Sequence, residues 1–464
     1  MLVLEADAGC LIDEALPEEA KLLPDRLMAV DAVLDDPAVL AGFRRHWEYA
    51  ALGHGRPSLP MATYVRLMYI KDTTGWGYER LMDQVCDSLQ LRRFCRIPVI
   101  EDVPDESTVR KLTRRLGSEV IDEATRAVVK KAVAERGFRP RALRVDSTVA
   151  QADVAYPTDV GLCADAVRTL AKAARKVRAA VPDATKHVVD RSRAVQKRVR
   201  AIGRSLRKRT GQAKAAVQAL TEQAGAQVAR SLGESRTLLA EAKASTKRTR
   251  GVSKKARARA IKALEELIGL STRVTSQIKS RFAGDKIPDR LVSLFDSDAR
   301  PVRRGKLAQP TEFGYVVQLG EVTASTKRGT ASLLLPPKLA AGSTHENTLL
   351  PRTVAELAAI GITALKEASF DAGFTRKATE EALPGLERIF IAGDKDNAGS
   401  QRTRRRMACY RVGCEGRVAH HKREYHGGRN RLKGTAGAKL WQSWAALCYD
   451  IDTVAPMPIK KKSG

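Results

Sequence analysis

Ala142-Leu143-Arg144-Val145-Asp146-Ser147-Thr148-Val149 sets apolar Leu143, Val145 and Val149 against polar Arg144, Asp146 and Thr148. That alternation is the period of a β-strand with one face in a core. Further along, Phe313-Gly314-Tyr315-Val316-Val317-Gln318-Leu319 and Ser332-Leu333-Leu334-Leu335 read as the two arms of a hairpin. A helix around Leu350 to Ile360, an apolar strand ending before Asp371, a helix near Thr375 to Glu381 and the strand Arg388-Ile389-Phe390-Ile391 follow. Strands alternating with helices predict an α/β domain, and the strand at 142–149 belongs to its sheet.

The intervening sequence is of another kind. Residues 171–280 hold 28 Lys and Arg against 7 Asp and Glu, so +21 of the chain's +29 net charge sits there. Val195, Val199, Ile202 and Leu206, then Ile261, Leu264 and Ile268, recur at helical spacing. Long amphipathic helices are expected, folded on each other, with Arg191, Arg193, Lys197, Arg198, Arg200, Lys254, Lys255, Arg257 and Arg259 facing outward. Such charge runs are often only solvated faces, but a balance this one-sided favours contact with phosphates. The segment 171–290 is therefore expected as a basic helical insertion that splits the α/β domain into 126–170 and 291–450, with a basic tail at 451–464.

With 464 residues and 43% hydrophobic content the chain can bury two or three cores. Its 82 Lys and Arg against 53 Asp and Glu argue for a polyanionic partner and against an acidic small molecule. No apolar run approaches the roughly 20 residues of a membrane span. Met1-Leu2-Val3-Leu4-Glu5-Ala6-Asp7 lacks a basic start and a long apolar stretch. Cys10, Cys86, Cys95, Cys163, Cys409, Cys414 and Cys448 are odd in number and scattered, as suits reduced thiols. A cytoplasmic, nucleoid-associated protein without membrane contact is expected.

Residues 1–125 read as an all-helical domain. Val65, Met68 and Tyr69 share one helix face, Leu81 and Val85 another, and Val109, Leu112 and Leu116 follow the capping cluster Asp105-Glu106-Ser107-Thr108. Gly75-Trp76-Gly77-Tyr78 suits the turn of a helix-turn-helix with Arg80, Arg92 and Arg93 toward DNA, and equally a plain docking domain.

Asp146 within a strand and Asp371 at the end of another are rigidly held carboxylates, the donor type for hard divalent cations. Arg411, Glu415 and Lys422 sit at offsets 0, 4 and 11, roughly 0°, 40° and 20° around a helix, so all three point the same way. Glu415 there could ligate a metal while Arg411 and Lys422 hold phosphates, or Arg411 and Glu415 could be an ordinary surface pair.

Read together, these strings resemble bacterial insertion-sequence transposases of the DDE class, whose catalytic domain has the RNase H-like fold. The resemblance lies in Arg144-Val145-Asp146-Ser147-Thr148-Val149 with Tyr156-Pro157-Thr158-Asp159, in Glu312-Phe313-Gly314-Tyr315, and in Phe370-Asp371-Ala372-Gly373-Phe374. It continues in the Arg-x3-Glu-x6-Lys spacing of Arg411, Glu415 and Lys422, and in Arg429-Asn430-Arg431-Leu432-Lys433-Gly434. Leu91-Arg92-Arg93-Phe94 and Pro104-Asp105-Glu106-Ser107-Thr108 extend it to the N-terminal region, so it covers most of the chain outside the basic insertion. One position departs: the Tyr expected three residues before the Arg is Ala408, and Tyr410 adjoins Arg411 instead.

The resemblance implies an α/β RNase H-like catalytic domain with a long basic α-helical insertion, preceded by an all-α domain. It also implies a triad of Asp146, Asp371 and Glu415 binding two Mg2+ ions, or Mn2+ in their place, about 3.5–4 Å apart. Double-stranded DNA, at transposon ends and at the target, would be met by Arg411, Lys422, Arg429, Arg431 and Lys433, and in the insertion by Arg198, Lys254 and Lys255. A dimer or larger synaptic complex is implied as well. A non-catalytic DNA-binding descendant, or a nuclease of the same fold that cuts without joining, would share these features.

Other motifs carry less. Asp394 and Asp396 suit a turn. Cys409, Cys414, His420 and His421 make a poor zinc set, because adjacent His side chains diverge on a helix. Gly427-Gly428 precedes no P-loop lysine. Trp441 and Trp444 suit helix packing, His345 and Glu346 follow a turn, and Lys460-Lys461-Lys462 would add general phosphate attraction.

Overall fold

Arg66 lies in the middle of helix α5 (Met61–Thr74) with its side chain wholly buried, and the N-terminal helices pack around it. Its guanidinium reaches Asp31 at 2.7 Å and Asp35 at 2.6 Å on α3 (Asp25–Leu34), and the Ala62 carbonyl at 3.0 Å, so each buried donor is matched. This computed structural model describes residues 1–5, 11–47, 57–208, 210–303, 310–342 and 344–459. Ala6, Asp7, Cys10 and the Lys460-Lys461-Lys462 tail lie outside the described residues.

The chain forms two compact units, 1–153 with 314–464, and 154–313. In the first, α1 (Leu11–Glu14), α2 (Glu18–Lys21), α3, α4 (Pro37–Arg45), α5, α6 (Tyr78–Asp87) and α7 (Leu89–Phe94) precede α8 (Glu106–Glu135). Asp105 caps α8 by accepting from Ser107 N, and Gly117, at φ 72°, breaks its helical path. The expected boundary at 125 is not there. Helix α8 runs through it, and one hydrophobic core joins Val30, Tyr64 and Val128 to Leu143, Phe370, Trp444 and Ile451. Lys439 and Ser443 reach across 317 and 321 residues to the buried Asp122 of α8, at 2.7 Å each, and tie the two sequence halves together.

Helix α6 follows Gly75, whose φ of 70° ends α5 in the left-handed region. Its residues Glu79, Asp83 and Asp87 outnumber Arg80. Arg92 donates to the carbonyls of Pro98 and Glu101 at 3.0 Å. An acidic second helix and an arginine committed to loop carbonyls favour the docking reading over the helix-turn-helix one.

The sheet is mixed. Strand β1 (Ala142–Ala152) pairs antiparallel with β3 (Thr311–Thr323) and parallel with β6 (Glu367–Phe370), which pairs parallel with β7 (Arg388–Ile391). Strand β4 (Ser332–Leu334) returns antiparallel on β3, as the hairpin reading expects. Short β5 (Lys338–Ala341) also pairs with β3, and β8 (Arg429–Asn430) with the end of β1. Helices α13 (Glu346–Ile360), α14 (Arg376–Ala382), α15 (Gln401–Arg423) and α16 (Gly434–Val454) accompany the sheet. Helix α16 is buried almost all round, with Trp444 inside it edge-on to Tyr64 at 6.0 Å.

The second unit contains β2 (Arg300–Arg303) and a bundle of α9 (Asp159–Ala180), α10 (Ser192–Leu206), α11 (Gly211–Ala244) and α12 (Lys254–Ala283) around Val167, Leu170, Val195, Val228, Leu264 and Val274. It starts earlier and ends later than the expected 171–290. Residues 159–170 carry little charge, but Val160, Leu162, Cys163 and Val167 face the same core as the basic helices.

At the end of α15, His421 is fully buried and bonded through Nε2 to Gln442 of α16 at 2.9 Å; its Nδ1 has no partner among the described residues. Burial, aided by the charges of Lys422 and His420, pushes its pKa down to about 4. A histidine that folds neutral contributes stability fully above its unfolded value near 6.5 and loses it as pH falls toward 4. Urea titrations should therefore show His421 costing about 3 kcal/mol between pH 7 and pH 4. His421→Gln should flatten the pH dependence of the midpoint, and equal slopes for both proteins would remove this role.

Candidate functional site

Strands β1 and β6 run parallel with Val145 opposite Phe370 as the last pair in register, and each aspartate directly follows that pair, Asp146 still on β1 and Asp371 just past the end of β6. Each carboxylate is steadied by the following amide: Asp146 accepts from Ser147 N at 2.7 Å, and Asp371 from Ala372 N at 2.8 Å. The two aspartates that the strand pattern singled out thus follow one register pair on adjacent interior strands of the sheet.

Helix α15 lies against β1 and β6 and carries Glu415. Arg411 donates to Glu415 at 2.7 Å and to Asp371 at 3.2 Å, so one guanidinium spans the end of β6 and the helix. The buried Cys414, next to Glu415, has its thiol pushed well up by burial and then by the carboxylates of Glu321 and Asp146, so Asp146 also acts on this part of α15. The Glu415 side chain is 60% exposed and that of Asp371 44%, open to a ligand. Glu346, at the start of α13, lies with its carboxylate against Gly373, where a β-carbon would overlap it.

What fixes α15 in place is a buried ionic group that sequence periodicity does not reveal. Glu321 of β3 is 1% exposed and stands opposite Arg144 of β1 in the register. Arg144 donates to it at 2.5 and 2.9 Å and to the Tyr410 carbonyl of α15 at 2.9 Å, with its guanidinium over the Tyr410 ring. Arg417, also on α15, donates to Glu321 at 2.9 Å and to Ser332 at 3.0 Å. Burial alone would raise the carboxyl, but the Arg144 and Arg417 guanidiniums outweigh it and hold Glu321 below the usual range. Tyr410, which adjoins Arg411, is buried with its hydroxyl 2.8 Å from Thr323 of β3, so it seats the helix. A charged residue inside the apolar run 313–322 was the available signal, because a buried carboxylate in a strand requires a cation.

The remaining predicted residues fall in three places. Lys422 is half-buried on α15, close to Gly428. Arg429 lies on β8 and Arg431 and Lys433 follow it, with a bend at Leu432; all three are exposed, Asn430 is buried between the first two, and Arg429 pairs with Asp153 at 2.6 Å. In the helical unit Lys254 and Lys255 are exposed, but Arg198 is not outward. It donates to the Ala194 carbonyl at 2.8 Å and to Gln223. Arg191 holds Glu234 and Arg257 the end of α11, so these two also correct the outward expectation. The exposed charge of α10 lies instead on Arg193, Lys197, Arg200 and Arg204, one helical stripe continued by Arg207 and Lys208. Residues 191–221 contain no acid at all.

Asp394 accepts from Arg376 and from Asp396 N, the turn role expected for it. Cys414 and His421 face different partners, and Trp441 donates to the His426 carbonyl. Among the described residues no three His, Cys, Asp or Glu side chains converge closely enough to hold a metal, and Arg411 stands between Asp371 and Glu415. The donor chemistry of Asp146, Asp371 and Glu415, carboxylate oxygens only, is that of a hard divalent cation.

Residues 13–115 match the family model described as "Transposase domain (DUF772)", which ends just before the break at Gly117. A relative from Rhizobium meliloti, described as "Uncharacterized protein ORF8 in nfe locus", is 28% identical over 127 residues, 26% of this chain. That match spans 61% of the relative's own length. No solved structure matches the chain. Among the described residues no helix is long and apolar enough to cross a membrane.

Two glycines on α15 separate packing from propensity. A β-carbon at Gly413 would overlap the Arg144 guanidinium, which cannot retreat because Glu321 and the Tyr410 carbonyl hold it, whereas none of the described residues lies within 4 Å of one at Gly416. Gly416→Ala should raise the thermal midpoint, worth up to about 1 kcal/mol, and Gly413→Ala should lower it. Equal stabilisation by both would show that Arg144 is not clamped on the helix.

Proposed function

We propose that the protein is a DNA transposase of the DDE class that binds transposon ends and performs divalent-metal-dependent strand cleavage and strand transfer. The observation that carries this reading is the bridge by which Arg411 of α15 joins Asp371, just past the end of β6, to Glu415, on the helix that lies against the strand bearing Asp146. The transposase-domain match at 13–115 supports it independently. A sheet with β3 antiparallel and β6 and β7 parallel to the central β1, crossed by a helix bearing the last carboxylate, also supports the RNase H-like reading.

In this reading Asp146, Asp371 and Glu415 would hold two Mg2+ ions, which would supply Lewis-acid activation of water or a 3′-hydroxyl and stabilisation of the leaving oxygen. The chain's own part is geometric. The register of β1 and β6 sets Val145 opposite Phe370, the residues just before the two aspartates, and the Glu321 clamp seats α15, which carries Glu415. Arg411 offsets the repulsion between Asp371 and Glu415 and offers a planar guanidinium to a phosphate. Arg429, Arg431 and Lys433, all exposed, offer cations to a DNA backbone. The stripe on α10 supplies further phosphate-binding cations in the helical unit.

With DNA carrying the element's own ends, wild type should release 3′-hydroxyl ends in Mg2+ and join them to a plasmid, and Asp146→Asn should abolish both. Binding without cleavage in Mg2+ and Mn2+ alike would favour a non-catalytic DNA-binding protein; cleavage without joining would favour a nuclease. A second measurement addresses the bundle. Lys197→Glu with Arg200→Glu and Arg204→Glu should weaken duplex binding and reduce the slope of log K against log salt by about 0.9 for each phosphate no longer neutralised. An unchanged slope would take the stripe out of the DNA interface.

A further inference from the structure

Tyr156 is 79% exposed, more than any other large apolar or aromatic side chain among the described residues. Its ring stands edge-to-face with Phe313 at 5.6 Å and 89°. The residues that follow are pinned in turn. The Pro157 ring limits the backbone, and its carbonyl accepts from Arg290 at 2.9 Å. Thr158 caps α9 by accepting from Gly161 N at 3.1 Å. Asp159 holds Arg281 at 2.9 Å and Arg290 at 3.4 Å. An aromatic ring kept in water on so ordered a loop is pre-organised for a flat partner, because little freedom is lost when one arrives. Arg290, which donates to the carbonyl of the next residue and shares Asp159 with Arg281, leaves one net positive charge on this loop and gives that partner a preference: a planar group carried on an anionic chain.

We propose that Tyr156 is a stacking platform for an unpaired base of a DNA strand, with Phe313 bracing the ring and Arg281 and Arg290 favouring the attached phosphates. The proposal rests on the DNA reading above and adds an interaction of a different kind. Backbone-binding cations are indifferent to whether a base is paired, whereas an exposed ring can be used only by a base that has left the helix. Stacking of this sort tolerates any sequence, since every base has a flat face. Tyr156 belongs to none of the carboxylate or phosphate-binding sets described above.

The test uses the full chain, a single-stranded oligonucleotide carrying one 2-aminopurine, and a blunt duplex of the same sequence. Wild type should quench the 2-aminopurine on binding. Tyr156→Ala should lose most of the quenching and bind the single strand roughly 5- to 100-fold more weakly, with unchanged duplex affinity and melting temperature. Tyr156→Trp should restore both quenching and affinity. Single-strand affinity and quenching that are the same in Tyr156→Ala as in wild type would overturn the proposal, as would a loss of self-association in place of a loss of stacking, which would make the ring a protein contact. Duplex binding by wild type without single-strand binding would overturn the stacking site alone. Binding to neither DNA would overturn the DNA reading and the site with it.

Discussion

A carboxylate with 1% exposure held by two guanidiniums organises the rest of this molecule. Glu321 on β3 takes Arg144 from the neighbouring strand and Arg417 from α15, and Arg144 reaches on to the Tyr410 carbonyl. Burying such a group adds little net stability, because desolvation offsets most of the attraction. Breaking it by removing one partner is another matter, since an unpaired buried charge costs about 3–5 kcal/mol. The effect is to fix one position and register for α15 on the sheet. Glu415 lies two residues from Arg417 and five from Tyr410, so it inherits that fixed placement while its own side chain stays open to solvent.

The same economy of roles runs through the helical unit. Arg191, Arg198 and Arg257 spend their charge on Glu234, Gln223 and helix carbonyls, and so build the bundle. Arg193, Lys197, Arg200 and Arg204 stand exposed along one side of α10 and form a continuous cationic stripe. Net charge alone could not separate these groups, because an arginine that caps a helix and one that meets a phosphate are equal in composition.

What the sequence made legible was whatever depends on short-range periodicity. The alternation at 142–149 located β1 and put Asp146 on it, and the apolar run before Asp371 located β6. The shared face of Arg411 and Glu415 was readable from their spacing, and the structure joins them by a hydrogen bond. Features set by long-range packing stayed hidden. The core that merges the N-terminal helices with the sheet depends on α16, buried on nearly every side and so without a helical stripe to read. The clamp on Glu321 joins residues 177 and 96 positions apart, which no local pattern reports. Strands β5 and β8, of four and two residues, are too short for a period to show.

In the proposed reading Asp146, Asp371 and Glu415 act as one cation site on a scaffold seated by Glu321. Its most direct measurement is Mn2+ binding to the full-length protein by electron paramagnetic resonance, without DNA or turnover. Asp146→Asn, Asp371→Asn and Glu415→Gln should each weaken the bound signal at least tenfold in apparent affinity while leaving the melting temperature within a degree or two. Mn2+ binding that survives all three substitutions unchanged would contradict the account.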